Sequence, residues 1–497
     1  MNVYQFAALI LAIVGPSLAA AGYLRAPASL VLFGIGVLSA YLPGLPPVGV
    51  DPDLALTLFL PPLIYASTVR VSWRLLGFAL VPGVLLGAAS VLATAVAVAL
   101  AAKLLLLPGL SWAGAILIGA VASIFDTQLF HEAKGRPRVP RAIADALKTR
   151  ELVSRLIILA TLALGIEMVN SGRLSGWSLV EHYLFDIGAG IGVGFVVGHG
   201  IVWARRRIDP APVEIAVSIA TPYIAAIAGE ELGVSSVAAI TTTALVVSAI
   251  RIDRETGATM SSAEARVSAT SFWEEASLFV SSVLFFLAGR ALPEAVGGLA
   301  AWPVWRLVTV AGALLAIVLA VQFAFSLPAT MLKPIAGSLR AREGSRNLKL
   351  PAAGVMAWAT TRSVIGLVIA LAIPETFPDG RPFGERDLIL ILAAFLVMGS
   401  LLLQGSTLRW AVFRADLCEE GEEKREEEAA RRAIEAVAGA GGGDNGEMHD
   451  AARRALIKLR EEDRIGDEVL LRMLRETDLH ARAAEEDVLP GAGPPNP

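Results

Sequence analysis

The chain has a single cysteine, Cys418, so it holds no intramolecular disulfide and no cysteine-based metal cluster. Histidine is also scarce, at five in 497 residues, and no metal-ligand spacing, phosphate-cradling loop or nucleophile motif occurs. Charge is the third shortage. Charged residues make up 18 %, against about 25 % in an average soluble domain. Hydrophobic residues reach 55 % and mean hydropathy is +0.63. A chain this short of polar surface is neither a soluble globular enzyme nor a disordered protein. It also lacks the basic face on a soluble domain that a nucleic-acid partner would need. No enzymatic activity and no cofactor are expected of it.

What is present is long apolar runs. A helix needs roughly 20 mainly apolar residues to cross the hydrocarbon core. Thirteen candidate spans fall near 3–22, 26–42, 54–69, 75–102, 112–131, 141–170, 181–204, 211–230, 235–250, 268–290, 304–327, 349–373 and 386–413. Several contain proline, such as Pro61-Pro62 and Pro222, which membrane helices tolerate. The first run resembles a signal peptide at Ala19-Ala20-Ala21, but no Lys or Arg precedes it, so it reads as a retained helix.

Charge is unevenly spread. Residues 415–497 hold 22 acids and 12 bases, leaving 24 acids and 30 bases for residues 1–414. The expected division is a transmembrane domain over 1–414 and a charged cytoplasmic helical tail over 415–497. Alternate loops carry the bases: Arg25; Arg70 and Arg74; Lys134, Arg136, Arg138 and Arg141; Arg205 to Arg207; Arg251, Arg254 and Arg266; and Lys333 to Lys349. The excess of positive charge on cytoplasmic loops then places the N-terminus outside and the tail inside, which requires an odd number of spans. In the tail, Leu456, Leu459, Ile465, Val469, Met473 and Leu474 form an apolar stripe at roughly helical spacing, expected to pack on itself or on a second subunit.

Ionisable residues deep inside spans are costly and mark functional candidates. Asp126 lies about fourteen residues into the fifth run, Arg150, Glu151 and Arg155 about nine to fourteen into the sixth, and Arg362 about thirteen into the twelfth. At 1.5 Å per residue Asp126, Arg155 and Arg362 each lie roughly 20 Å along their helices, near the middle of a core of about 30 Å. Ser123 to Thr127 and Thr360 to Ser363 are polar interruptions of apolar runs. Such breaks at the midplane characterise transporters built from inverted repeats. A six-plus-six repeat over runs two to thirteen would match the twelfth run to the sixth, making Arg362 the counterpart of the Arg155 region.

In these features the chain resembles the monovalent cation:proton antiporters, in the branch of bacterial NhaP and the animal sodium–proton exchangers. The resemblance covers about Phe6 to Arg414. It is carried by Leu60-Pro61-Pro62-Leu63-Ile64-Tyr65, by Phe272-Trp273-Glu274 with Leu284 to Gly289, and by Trp358-Ala359-Thr360-Thr361-Arg362-Ser363. Arg464-Ile465-Gly466-Asp467-Glu468-Val469-Leu470 in the tail adds to it. The resemblance implies an all-α polytopic fold with broken helices, exchange of Na⁺ or K⁺ for protons across the plasma membrane, and a homodimer.

The ion site departs from the family's pattern. Where the family has a Thr-Asp pair, this chain has Phe125-Asp126; where it has Asn-Asp, this chain has Ser154-Arg155. The family's Gly-Glu-Ser reads Thr149-Arg150-Glu151, and an acid of the third span is replaced by Ala66. The resemblance therefore nominates Asp126, Glu151 and Ser154 for ion and proton binding, with Arg155 and Arg362 as fixed positive charges. Glu151 and Arg155 stand at i,i+4, the better orientation for a helical ion pair. Asp126 pairs with Arg155, with Arg362, or with neither; the sequence leaves this open. The alternatives to cation exchange are an anion or other solute carried with protons, and a transport-inactive sensor or scaffold.

Overall fold

The computed structural model describes residues 3–24, 27–42, 55–69, 73–127, 139–171, 176–205, 207, 211–249, 263–299, 302–332, 335, 348–373, 376, 380–418, 421–440, 445–462, 464–466, 469–470, 472–477 and 479. Many of the loop bases that set the expected orientation, including Arg25, Arg70, Lys134, Arg251 and Lys333, lie outside these residues.

Each of the thirteen apolar runs contains helix. In chain order these are α1 (Val3–Leu24), α2 (Ala28–Ser39), α3 (Leu60–Thr68), α4 (Trp73–Ala101), α5 (Trp112–Ser123), α6 (Arg141–Ser171), α7 (Gly176–Arg205), α8 (Ala211–Glu231), α9 (Ser236–Ala249), α10 (Ala263–Gly298) and α11 (Val304–Ala329). Next come α12 (Lys349–Trp358), α13 (Val364–Leu371), α14 (Arg386–Ser400) and α15 (Ser406–Arg414). The tail supplies α16 (Glu422–Ala440) and α17 (Asn445–Glu461). By length and composition six of the described helical stretches are long and apolar enough to cross a membrane; α2, α5 and most of α9 are apolar but shorter.

Local chemistry explains several boundaries. Pro61 and Pro62 open α3, where a missing N–H costs least, and a wide π-type turn at Ala55–Phe59 precedes them. Another wide turn, Leu401–Gly405, joins α14 to α15. The Ser111 hydroxyl accepts from the Gly114 N–H at 3.0 Å and caps α5. Ser363 does the same for α13, accepting from the Ile365 N–H at 3.2 Å.

Packing is tightest where side chains are smallest. A Cβ on Gly36 of α2 would lie 2.2 Å from the Phe286 carbonyl oxygen, and one on Gly289 of α10 would lie 2.1 Å from that of Phe33. The two backbones approach as close-packed membrane helices do. All of α13 is buried, as are most residues of α5 and α14, so these helices form the interior. On the outside Leu184, Phe185, Val196 and Leu402 are exposed, as a lipid-facing surface requires. Tyr23, Trp203, Trp305 and Trp410 are exposed near helix ends, where amphipathic rings sit at headgroup level. In the tail Ala430, Leu456, Leu459, Ile465, Val469 and Met473 close a separate small core, so the apolar stripe is buried against α16.

The fifth and twelfth runs are the broken ones. Phe125–Asp126 and Thr361–Arg362 leave the helix and pair antiparallel, Phe125 opposite Arg362 and Asp126 opposite Thr361. The breaks that meet are those of runs five and twelve. Hydrogen bonds from Thr361 and Arg362 to the Asp126 and Ala122 carbonyls hold the two breaks to each other.

Candidate functional site

At the crossing, the C-terminal ends of α5 and α12 and the start of α13 come together around the two extended stretches. Ser123 donates its hydroxyl to the Ala120 carbonyl at 2.9 Å and Thr360 donates to Ala357 at 2.7 Å, closing α5 and α12. The Thr361 hydroxyl donates to the Asp126 carbonyl at 2.9 Å, tying the two extended stretches together.

Arg362 lies at the C-terminal ends of both helices. Its Nη1 donates to the Ala122 carbonyl and its Nη2 to the Thr360 carbonyl, each at 2.7 Å. A cation there faces the negative ends of two helix dipoles. Its backbone N–H donates to Ser400 at 2.9 Å, and Gln404 of the wide turn donates to the Trp358 and Thr360 carbonyls at 2.9 and 3.2 Å. Arg362 thus binds carbonyls and not Asp126, which removes one of the pairings the sequence left open.

Arg150 is likewise buried among neutral partners: Ser326 at 3.0 Å and Gln322 at 2.6 Å, both on α11. The Phe125 ring lies near both guanidinium groups, 5.8 Å from that of Arg150 and 5.9 Å from that of Arg362. An aromatic face within about 6 Å stabilises a desolvated cation. Phe125 thus presents a ring to two buried positive charges whose hydrogen-bond partners among the described residues are neutral.

The remaining charges form a second cluster. Nη2 of Arg155 bonds directly to Glu151 and lies 3.9 Å from Oδ2 of Asp126, while Nη1 meets the Ser67 hydroxyl. The other oxygen of Glu151 accepts from the Thr127 N–H at 3.1 Å and from the Thr127 hydroxyl. The three side chains are close to fully enclosed, at 11 % exposure for each carboxylate and 4 % for Arg155. Arg155 thus engages both acids and sits between them. The Ser154 hydroxyl points back along α6, donating to the Glu151 carbonyl at 2.7 Å.

Several contributors carried little signal in sequence. Ser67 follows Ala66 in α3, and Thr127 ends the polar interruption. Gln322, Ser326, Ser400 and Gln404 are polar residues isolated in apolar runs, which is the pattern that could have found them. Elsewhere, Thr243 of α9 donates to the Gly194 carbonyl at 3.0 Å, a backbone bond across to α7. Glu274 and Glu275 are exposed, and His199 is exposed with Nδ1 2.9 Å from the Phe195 carbonyl.

Two crossing broken helices around a buried carboxylate–guanidinium cluster define a membrane ion-transport protein. The profile of the family described as sodium/hydrogen exchanger, transmembrane, matches residues 8–414, and the chain belongs to that family. It is 28 % identical to an uncharacterised Na⁺/H⁺ exchanger of Mycobacterium tuberculosis over 447 residues, covering 87 % of this chain and 79 % of the relative. A sodium, potassium, lithium and rubidium/H⁺ antiporter of Bacillus pumilus is 24 % identical, over 76 % of this chain and 56 % of that one. The solved structure of the sodium proton antiporter MjNhaP1 from Methanocaldococcus jannaschii at pH 8 matches with a TM-score of 0.59 and 15 % identity. It covers 84 % of this chain and 99 % of that one, a likeness of fold.

Proposed function

We propose that the protein exchanges a monovalent cation, Na⁺ or K⁺, for protons across the plasma membrane. The observation that carries this is the enclosed Asp126–Arg155–Glu151 cluster at the crossing of two broken helices, in a member of the sodium/hydrogen exchanger family. Burial disfavours an unpaired charged carboxylate, so a proton and a cation compete for the same position. Relatives named as Na⁺/H⁺ antiporters support the reading. Asp126 is the shared carboxylate, Glu151 the second, and Ser154 shapes the turn that presents Glu151. Arg155 and Arg362 are fixed positive charges, Arg362 by capping the broken helices.

In this reading the membrane domain spans residues 1–414 with thirteen crossings, the N-terminus outside and the 415–497 tail in the cytoplasm. The assembly is a homodimer. A second reading, an anion carried with protons, draws on Arg150 and Arg362, whose buried guanidinium groups bond only neutral partners among the described residues.

The test is dissipation of a preset pH gradient in inside-out vesicles by Na⁺, K⁺ or Li⁺, from about pH 6 to 9. Cation exchange requires that wild type respond and Asp126→Asn not. A gradient that answers only to anions transfers the assignment to the second reading. Silence of wild type with restored exchange in Arg155→Asp means that this chain has left cation antiport.

A further inference from the structure

The last helical stretch of the membrane domain, Arg386–Arg414, has two unlike sides at the end where the tail begins. One side is buried. Leu408 and Val412 of α15 share a small core with Val355 and Met356 of α12, and the Thr407 hydroxyl accepts from Nε1 of Trp358 at 2.9 Å. On this side α15 backs the half-helix that leads into the Thr361–Arg362 break. The other side is exposed and changes character along its length. Leu402 and Leu403 are apolar, and Arg409, Trp410, Phe413 and Arg414 follow them at helical spacing. At 1.5 Å per residue, Arg409 and Arg414 lie about 10 and 18 Å beyond Leu402. A lipid-facing helix that passes from leucines to exposed rings and bases over that distance is leaving the hydrocarbon for the headgroups.

Neither Arg409 nor Arg414 has an ion pair with a described residue, although residues 415–497 hold 22 acids against 12 bases. Exposed bases within the tail behave differently: Arg431 meets Glu427 at 2.8 Å and Arg432 meets Glu428 at 3.0 Å. Arg409 instead stacks on Phe413, 5.6 Å from the ring centroid. A ring beside it steadies the guanidinium and leaves its N–H groups for an acceptor outside the protein. The planar fork of arginine matches the oxygens of a phosphate, and the neighbouring Trp410 is a ring type that sits at headgroup level. We propose that Arg409, Trp410, Phe413 and Arg414 form a binding site for the headgroup of an anionic phospholipid. The two guanidinium groups select its phosphate, and the Leu402–Leu403 surface above them is where its acyl chains lie. In the orientation proposed above this is the cytoplasmic leaflet, the one with negative surface potential. The site lies on the reverse of the helix that supports α12, and it holds whichever ion is exchanged.

The test uses full-length protein in phosphatidylcholine nanodiscs. Each sample carries the same minor mole fraction of an acyl-brominated lipid, phosphatidylglycerol in one and phosphatidylcholine in the other. Trp410 emission is read as the difference between wild type and Trp410→Phe. Brominated phosphatidylglycerol is expected to quench it more strongly, since each base near the surface favours an anionic headgroup by about fivefold. In an Arg409→Gln/Arg414→Gln variant, read the same way, the two lipids should quench equally. Arg432→Gln, which removes a paired base of the tail, should keep the preference. Equal quenching by the two lipids in wild type overturns the proposal, and so does a preference that survives in the double variant. Loss of the preference on adding sn-glycerol 3-phosphate also overturns it, because the arginines then belong to a soluble phosphate. The double variant should melt with wild type in lipid-free detergent. A fall of several degrees would mean that the two arginines pair within the protein, which defeats the lipid assignment.

Discussion

Replacing Arg362 by methionine keeps most of the side-chain volume but deletes the planar fork that joins two helix ends. Three consequences follow from its contacts. The Ala122 and Thr360 carbonyls each lose a charged donor at 2.7 Å. A hydrogen bond to a charged group contributes about 1.5–3 kcal/mol, and an orphaned buried acceptor keeps its desolvation penalty. The positive charge at two helix C-termini is also lost, at roughly 0.3–1 kcal/mol each. Against this, the buried charge itself disappears, which offsets part of the loss because an apolar replacement of an ionic group is often tolerated. A net destabilisation of about 3–5 kcal/mol is expected. At roughly 2 °C per kcal/mol for a large domain, apparent melting in detergent should fall by about 5–10 °C. Arg362→Lys should fall about half as far, since an ammonium on a flexible stem reaches one carbonyl but does not bridge two. Differential scanning fluorimetry at neutral pH, with Arg155→Lys as a control away from the helix ends, measures both. A melting temperature for Arg362→Met within 1 °C of wild type would sink the idea that this guanidinium clamps the crossing.

Three further outcomes follow from the same geometry. Phe125→Leu removes the ring that both Arg150 and Arg362 approach and should destabilise by about 2–4 kcal/mol, from lost cation–π contact and partial packing loss; equal melting of the variant and wild type contradicts the cation–π role. Glu385 accepts from the Ser111 N–H at 2.6 Å at the start of α5, and the next residue, Arg386, donates to the Ile373 carbonyl at 2.9 Å past the end of α13. Glu385→Ala and Arg386→Ala should each cost about 1–2 kcal/mol, and hydrogen exchange should rise at the N-terminal end of α5 and the C-terminal end of α13 respectively; exchange that rises elsewhere refutes the assignment. Leu456→Ala in the fully buried tail core should cost about 2–5 kcal/mol of tail stability, read as faster proteolysis of residues beyond 415. Protease resistance equal to wild type would mean that the tail core is not what holds α16 to α17.

Much of this protein follows from local pattern. Each apolar run contains helix because burial and backbone satisfaction in lipid both act along consecutive residues, which a linear count detects. Ser123 and Thr360 mark the breaks because their hydroxyls cap carbonyls three residues back, a contact inside one turn. The Glu151–Arg155 pair is visible for the same reason, since i,i+4 neighbours share a helix face whatever surrounds them.

The partners of Arg362 and Asp126 could not be read that way. Ala122 and Arg362 are 240 residues apart in sequence, and a backbone carbonyl leaves no mark on residue identity. Only when the fifth and twelfth runs cross do the two freed helix ends come within reach of one guanidinium. That crossing directs Arg362 to carbonyls and leaves Arg155 for the acids. The sequence by itself determined which residues are charged inside an apolar chain. The tertiary structure decided which charges meet, because electrostatic pairing depends on distance through space and falls off within a few ångströms once another partner intervenes.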